Sequence, residues 1–126
     1  MLSDFPISVA LPASDLDRAR KFYEDVLGLV PPTESAGGAM YRCGEGTMLF
    51  VYPSSFAGTN DATAASWAVF DIESVIEDLE ERGVHFQDYD LPGLKTENHI
   101  AEQPDGTRSA WFADTEGNIL ALTEFA

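Results

Sequence analysis

Lys95-Thr96-Glu97-Asn98-His99 is the polar cluster of this chain in which a carboxylate and an imidazole stand two positions apart. Such a pair can work as acid and base, which makes His99 and Glu97 the candidate catalytic residues of a lyase, isomerase or epimerase chemistry. A plain loop histidine is the competing reading. The other histidine, His85, lies in the alternating stretch Val84 to Tyr89 and reads as a solvated or hydrogen-bonded surface residue. The single cysteine, Cys43, has no base placed beside it in sequence, so it reads as a small apolar strand residue rather than a nucleophile.

The elements that must position these groups are written twice. Ser14-Asp15-Leu16-Asp17 opens an amphipathic run, as Glu73-Ser74-Val75-Ile76 opens another, and Glu45-Gly46-Thr47-Met48-Leu49-Phe50-Val51-Tyr52 is answered by Glu116-Gly117-Asn118-Ile119-Leu120-Ala121-Leu122-Thr123. A repeat of about 60 residues exceeds a solenoid unit, so the chain reads as one internally duplicated domain over 1–126, with a cleft expected between its halves. In the first module, about 1–53, Phe5 to Leu11 alternates as a strand. Leu16, Ala19, Phe22, Tyr23, Val26 and Leu27 then recur at helical spacing. Ser14 and Asp17 are spaced as a capping box, and Gly28 sits where a terminating glycine belongs.

Leu29 to Thr33, Ala39 to Cys43 and Thr47 to Pro53 complete a β-α-β-β-β order, the last two as a hairpin across Gly44-Glu45-Gly46. Residues 54–65 are small and polar, as a linker is. The second module, about 66–126, repeats the order. Ser66 to Asp71 is its first strand, a helix capped by Ser74 and Glu77 runs to Gly83, and Val84 to Tyr89 is the next strand. A long loop, Asp90 to Gln103, is a possible lid, and a final hairpin pairs Thr107 to Ala113 with Asn118 to Glu124. The fold class is α+β, with tandem βαβββ modules and mostly antiparallel sheets.

Length, charge and cysteine count narrow the function classes. A chain of 126 residues can bury a core without staples. One cysteine allows no internal disulfide, so a reducing cytoplasm is the default compartment. No apolar run reaches a membrane span, and the N-terminal residues carry no signal-peptide pattern. With 22 acidic residues against 7 basic ones, the chain repels nucleic acid and anionic membranes, which are bound through Lys and Arg. The acid excess fits either ordinary solubility or a high-salt habitat.

Asp15 to Leu29 resembles the first-helix signature of the vicinal oxygen chelate superfamily, that of glyoxalases, bleomycin-resistance proteins and extradiol dioxygenases. Asp114-Thr115-Glu116-Gly117-Asn118-Ile119-Leu120 resembles its terminal Asp-Pro-x-Gly-Asn-x-Leu hairpin, with Thr115 in place of proline. The resemblance implies paired βαβββ modules, each curling a half-barrel sheet, and a homodimer with shared clefts. It also implies one divalent metal, held by His, Glu or Gln from the first and last strands of both modules, that polarises substrate oxygens as a Lewis acid.

By that resemblance the four ligand places fall on Ser8, Phe50, Trp67 and Ala121, which offer one weak neutral donor between them, so no metal or other cofactor is expected. The residues left as replacement ligands are His85, His99, Glu97, Glu102 and Cys43. What remains is an aromatic, apolar cleft: Phe50 and Trp67 take positions that face the metal in relatives, and Tyr41, Tyr52 and Trp111 lie on strands that can reach the same cavity. Core filling is the competing reading for Phe50, and alternation lets only one of Trp111 and Phe112 face the cavity. The expected function is metal-independent binding of an apolar or aromatic small molecule. An enzyme using His99 and Glu97, or an unusual divalent site, is the alternative.

Overall fold

The computed structural model describes residues 1–35 and 37–126. The chain divides into two compact units, residues 1–60 with 115–117 and residues 61–114 with 118–126. The architecture is α+β, two four-stranded sheets each with its own helix.

In the first unit, β1 (Val9–Ala13) leads to α1 (Leu16–Lys21), which continues as a π-helical turn over Phe22–Val26. Three further strands follow: β2 (Thr33–Ser35), β3 (Gly38–Arg42) and β4 (Met48–Pro53). The sheet order is β1-β4-β3-β2, with β1 parallel to β4 and the other pairs antiparallel. The first strand is shifted from the expected Phe5 to Leu11. It begins at Val9, whose partner is Leu49, and Phe5 and Ile7 lie exposed ahead of it.

Helix α1 is capped by Asp15, whose carboxylate accepts the Arg18 N–H at 3.1 Å, rather than by Ser14. Gly28 ends the helical run in the left-handed conformation, φ 75°, as its place in the sequence requires. Strand alternation then sorts the sheet into two faces. Leu11, Ala13, Ala39, Tyr41, Leu49 and Val51 are buried, with Ala19 and Tyr23 of the helical segment in the same core. Ala10, Pro12, Met40, Phe50 and Tyr52 alternate with them on the open face. The close approach of β3 to β4 depends on Gly38, where a Cβ would stand 2.1 Å from the Val51 carbonyl oxygen.

The second unit contains β5 (Thr63–Ala68), α2 (Ile72–Glu81), β6 (Asp90–Leu91), β7 (Leu94–Lys95), β8 (Ala101–Glu102), β9 (Arg108–Ala113) and β10 (Ile119–Glu124). Its order, β5-β10-β9-β8 with β5 parallel to β10, repeats that of the first sheet. Strand β5 starts within the expected linker.

Helix α2 begins before the expected Ser74 cap. Asp71 accepts the Ser74 N–H at 3.3 Å, which brings Ile72 into the helix to share the buried stripe of Ile76 and Leu79. The expected strand Val84 to Tyr89 reduces to one bridge, Phe86 to Phe112, and a Gln87 N–H bond to the Trp111 carbonyl. Further along β9 the edge is taken by β8. Asp90 to Gln103 is not a structureless lid: it contains the β6–β7 hairpin, a turn closed by reciprocal Glu97 and Ile100 backbone bonds, and β8. Among the described residues no helix is long and apolar enough to cross a membrane.

Candidate functional site

Phe50 and Tyr52 are i, i+2 neighbours on β4, so both project from the open face of the first sheet. Their rings lie nearly parallel, 6.0 Å apart with 12° between planes, and both are half-buried. Met40 stands opposite Phe50 in the register, and Pro12 opposite Tyr52. Ser8 is exposed just ahead of β1. The result is an apolar aromatic strip with a hydroxyl at its margin, suited to a flat or greasy molecule.

Tyr41 does not belong to this strip, contrary to the expectation that it lines a cleft. Its parity on β3 turns it to the buried face, where it is fully buried, its ring lies 6.1 Å from that of Tyr23 and its hydroxyl donates to Glu24 at 2.9 Å. Burial, and then the Glu24 carboxylate, hold its phenol proton well above the ordinary range.

In the second unit, Trp111 and Ala121 are register partners on one face of the sheet, opposite to the face of Phe112. Alternation is thereby resolved: Phe112 is buried in the core and Trp111 is half-buried on the open face. The Trp111 indole N–H donates to Thr63 Oγ1 at 3.2 Å, and its ring meets Tyr89 edge-on at 5.5 Å. Ser66, opposite Ala121, bonds Thr123 at 2.8 Å on the same face. Ala121 itself is buried.

Trp67 is also corrected. It pairs with Leu122, not Ala121, so it turns to the face of Phe112 and stacks on that ring at 6.4 Å and 14°. The face expected of Trp67 from its distance to Ser74 belongs to Ser66, because a one-residue step reverses the face of a strand side chain.

His99 and Glu97 both line a groove of about 780 Å³ in the second unit, together with Glu77 and Glu80 of α2, Lys95 and Glu102. The residues that engage the imidazole are Asp88, 2.9 Å from Nδ1, and Glu80, 3.7 Å from Nε2, rather than Glu97. Neither partner is a sequence neighbour of His99; the only signal for Glu80 is the Glu73, Glu77, Glu80 stripe at helical spacing. Arg108, at another wall of the groove, is held by Glu73 and Glu124. These bonds keep its guanidinium firmly protonated and draw the Glu124 carboxyl below its ordinary range, the Ile72 N–H first and Arg108 second. His85 is exposed, as expected.

The divalent ion of the superfamily does not fit the residues at its four places. Phe50 and Ala121 have no donor atom, Ser8 supplies a lone hydroxyl, and neither Trp67, which faces the core, nor its neighbour Ser66, opposite Ala121, supplies an imidazole or a carboxylate. Among the described residues no three His, Cys, Asp or Glu side chains are grouped to hold an ion. The buried acid of the terminal hairpin, Glu116, is fully engaged instead. Arg18 Nε donates to it at 2.8 Å, the Asp15 N–H at 2.9 Å, Thr115 Oγ1 at 2.8 Å and Ser14 Oγ at 3.2 Å. Burial, the largest influence, pushes this carboxyl up; the Arg18 bond and the three other donors together outweigh it and hold it at about 2.

The family model for the glyoxalase/bleomycin resistance protein/dioxygenase superfamily matches residues 7–122. No curated protein sequence matches the chain. Among solved structures, a glyoxalase/bleomycin resistance protein from Catenulispora acidiphila DSM 44928 is similar with a TM-score of 0.70 and 21% identity, over 97% of this chain and 99% of that one. Lactoylglutathione lyase from Agrobacterium tumefaciens gives 0.70 and 21%, over 95% and 92%. TnmS3, an antibiotic binding protein from Streptomyces sp. CB03234, gives 0.65 and 20%, over 97% and 96%. At these identities the structures speak for the fold alone, while the family match spans nearly the whole sequence, with its duplicated strand–helix–strand order laid out above. This chain belongs to the glyoxalase/bleomycin resistance protein/dioxygenase superfamily.

Proposed function

We propose that this protein is a metal-independent binder of an apolar or aromatic small molecule. The observation that carries the reading is the Phe50–Tyr52 strip, half-buried and parallel on an open sheet face, with Phe50 at a place that the resemblance gives to a metal ligand. Rings that only filled a core would be enclosed, as Tyr41 and Phe112 are. TnmS3, of similar fold, is an antibiotic binding protein. A homodimer in the cytoplasm is part of the same proposal.

Calorimetric titration against a panel of aromatic antibiotics and polycyclic metabolites tests it. At least one compound binds at micromolar concentration, chelator leaves its affinity unchanged, and Phe50→Ala weakens it about tenfold or more, the scale of a lost aromatic contact. Binding that disappears with chelator, or that Phe50→Ala and Tyr52→Ala both leave intact, overturns the reading.

A further inference from the structure

The imidazole of His99 stands between carboxylates from two different elements, Asp88 at Nδ1 and Glu80 of α2 at Nε2. A carboxylate only accepts, so the 2.9 Å bond to Asp88 puts a hydrogen on Nδ1. A neutral ring must then turn the bare lone pair of Nε2 toward Glu80, whereas a doubly protonated ring turns an N–H toward it. The ring of buried Phe86 lies 6.2 Å away, near the reach at which an aromatic face favours a cation.

We propose that Asp88, His99 and Glu80 form a proton-operated clamp. It fastens the turn Glu97–Ile100 to α2 when His99 is doubly protonated and slackens when the ring is neutral. The turn is one that gains from an external tie: Asn98 and His99 hold φ of 50° and 72°, a conformation L-residues adopt at a cost. The other charged groups around the ring are Glu77 on the α2 side, Lys95 on β7, Glu97 in the turn itself and Glu102 on β8. Glu73 and Arg108, farther along the groove, are paired with each other. Because the turn is one wall of the groove, the clamp sets how that wall is held. The inference is independent of what binds at Phe50 and Tyr52.

Amide hydrogen exchange read by NMR tests it, following the reciprocally bonded N–H groups of Glu97 and Ile100. Rates at pH 5.5 and pH 8 are each referred to exchange of an unstructured peptide at the same pH. Protection in the wild type is about two- to fivefold greater at pH 5.5, the scale of a partly exposed ion pair. His99→Gln removes the difference, and Glu80→Gln, which leaves the Asp88 bond in place, reduces it. Equal protection at both pH values, or a pH dependence retained in His99→Gln, overturns the clamp. All three side chains are partly exposed, so the variants fold, and near-UV circular dichroism verifies it.

Discussion

Replacing Glu116 with glutamine keeps the shape of the side chain and removes its charge at a carboxylate that accepts from Arg18, Asp15, Thr115 and Ser14. The side chain has no solvent exposure, while its partner Arg18 is half exposed. The fall of its pKa from an ordinary 4.5 to about 2 corresponds, at about 1.4 kcal/mol per tenfold, to about 3 kcal/mol. A carboxyl whose folded pKa is depressed contributes fully above its unfolded value and loses that contribution as pH falls through the folded one. The contribution is therefore complete above about pH 4.5, about half gone at pH 3 and nearly gone at pH 2. Glu116→Gln should cost about 3 kcal/mol at pH 7, moving the urea midpoint down by about 1.5 M at a slope near 2 kcal/mol/M. The gap between variant and wild type should shrink to about half at pH 3. Urea titrations followed by circular dichroism at both pH values supply the test. A gap that is the same at pH 7 and pH 3, or smaller than about 1 kcal/mol at pH 7, refutes the claim that a buried charge is what is lost.

Tyr41→Phe removes a fully buried hydroxyl that donates to a carboxylate and should lower stability by about 1.5–3 kcal/mol, read by chemical unfolding, with ligand binding unchanged. Gly38→Ala forces a Cβ against the Val51 carbonyl and should cost about 2 kcal/mol or more in the same assay, because backbone rather than a flexible side chain must move. Metal analysis by mass spectrometry after expression with zinc, nickel, manganese and iron should find no stoichiometric ion, and chelator should leave the melting temperature unchanged. One equivalent of tightly held metal would return metal-assisted catalysis to the lead. Light scattering should give twice the chain mass for the proposed homodimer, and a monomer at all concentrations would refute it.

The sequence made the duplicated order of elements legible because its periods and glycine stops act locally. Gly28 and Gly83 both hold the left-handed conformations their positions imply. Caps were legible only to within a few residues. Ser14 and Ser74 have the right chemistry, but Asp15 and Asp71 accept the capping bonds, and the Ser14 hydroxyl serves Glu116 instead. Trp67 was assigned by distance from the second helix, and the shift of that cap carried the error into its face. His99 was visible as a candidate, whereas Asp88 and Glu80 became its partners only when α2 and the Asp88 segment were brought to one groove. The role of Glu116 depends on contacts about a hundred residues apart in sequence, which no local pattern encodes.

Strands β4 and β10 agree on one face and differ on the other. Leu49 and Val51 of β4 correspond through the repeat to Leu120 and Leu122 of β10, and all four are buried. Phe50 and Tyr52, the alternate positions, correspond to Ala121 and Thr123. A buried face is constrained by close packing, so a branched aliphatic residue can be replaced only by another of similar volume. At the alternate positions the first module carries parallel, half-buried rings, whereas the second carries the buried methyl group of Ala121 and the hydroxyl of Thr123. On the proposed reading, the positions at which the copies differ are the ones that select the ligand.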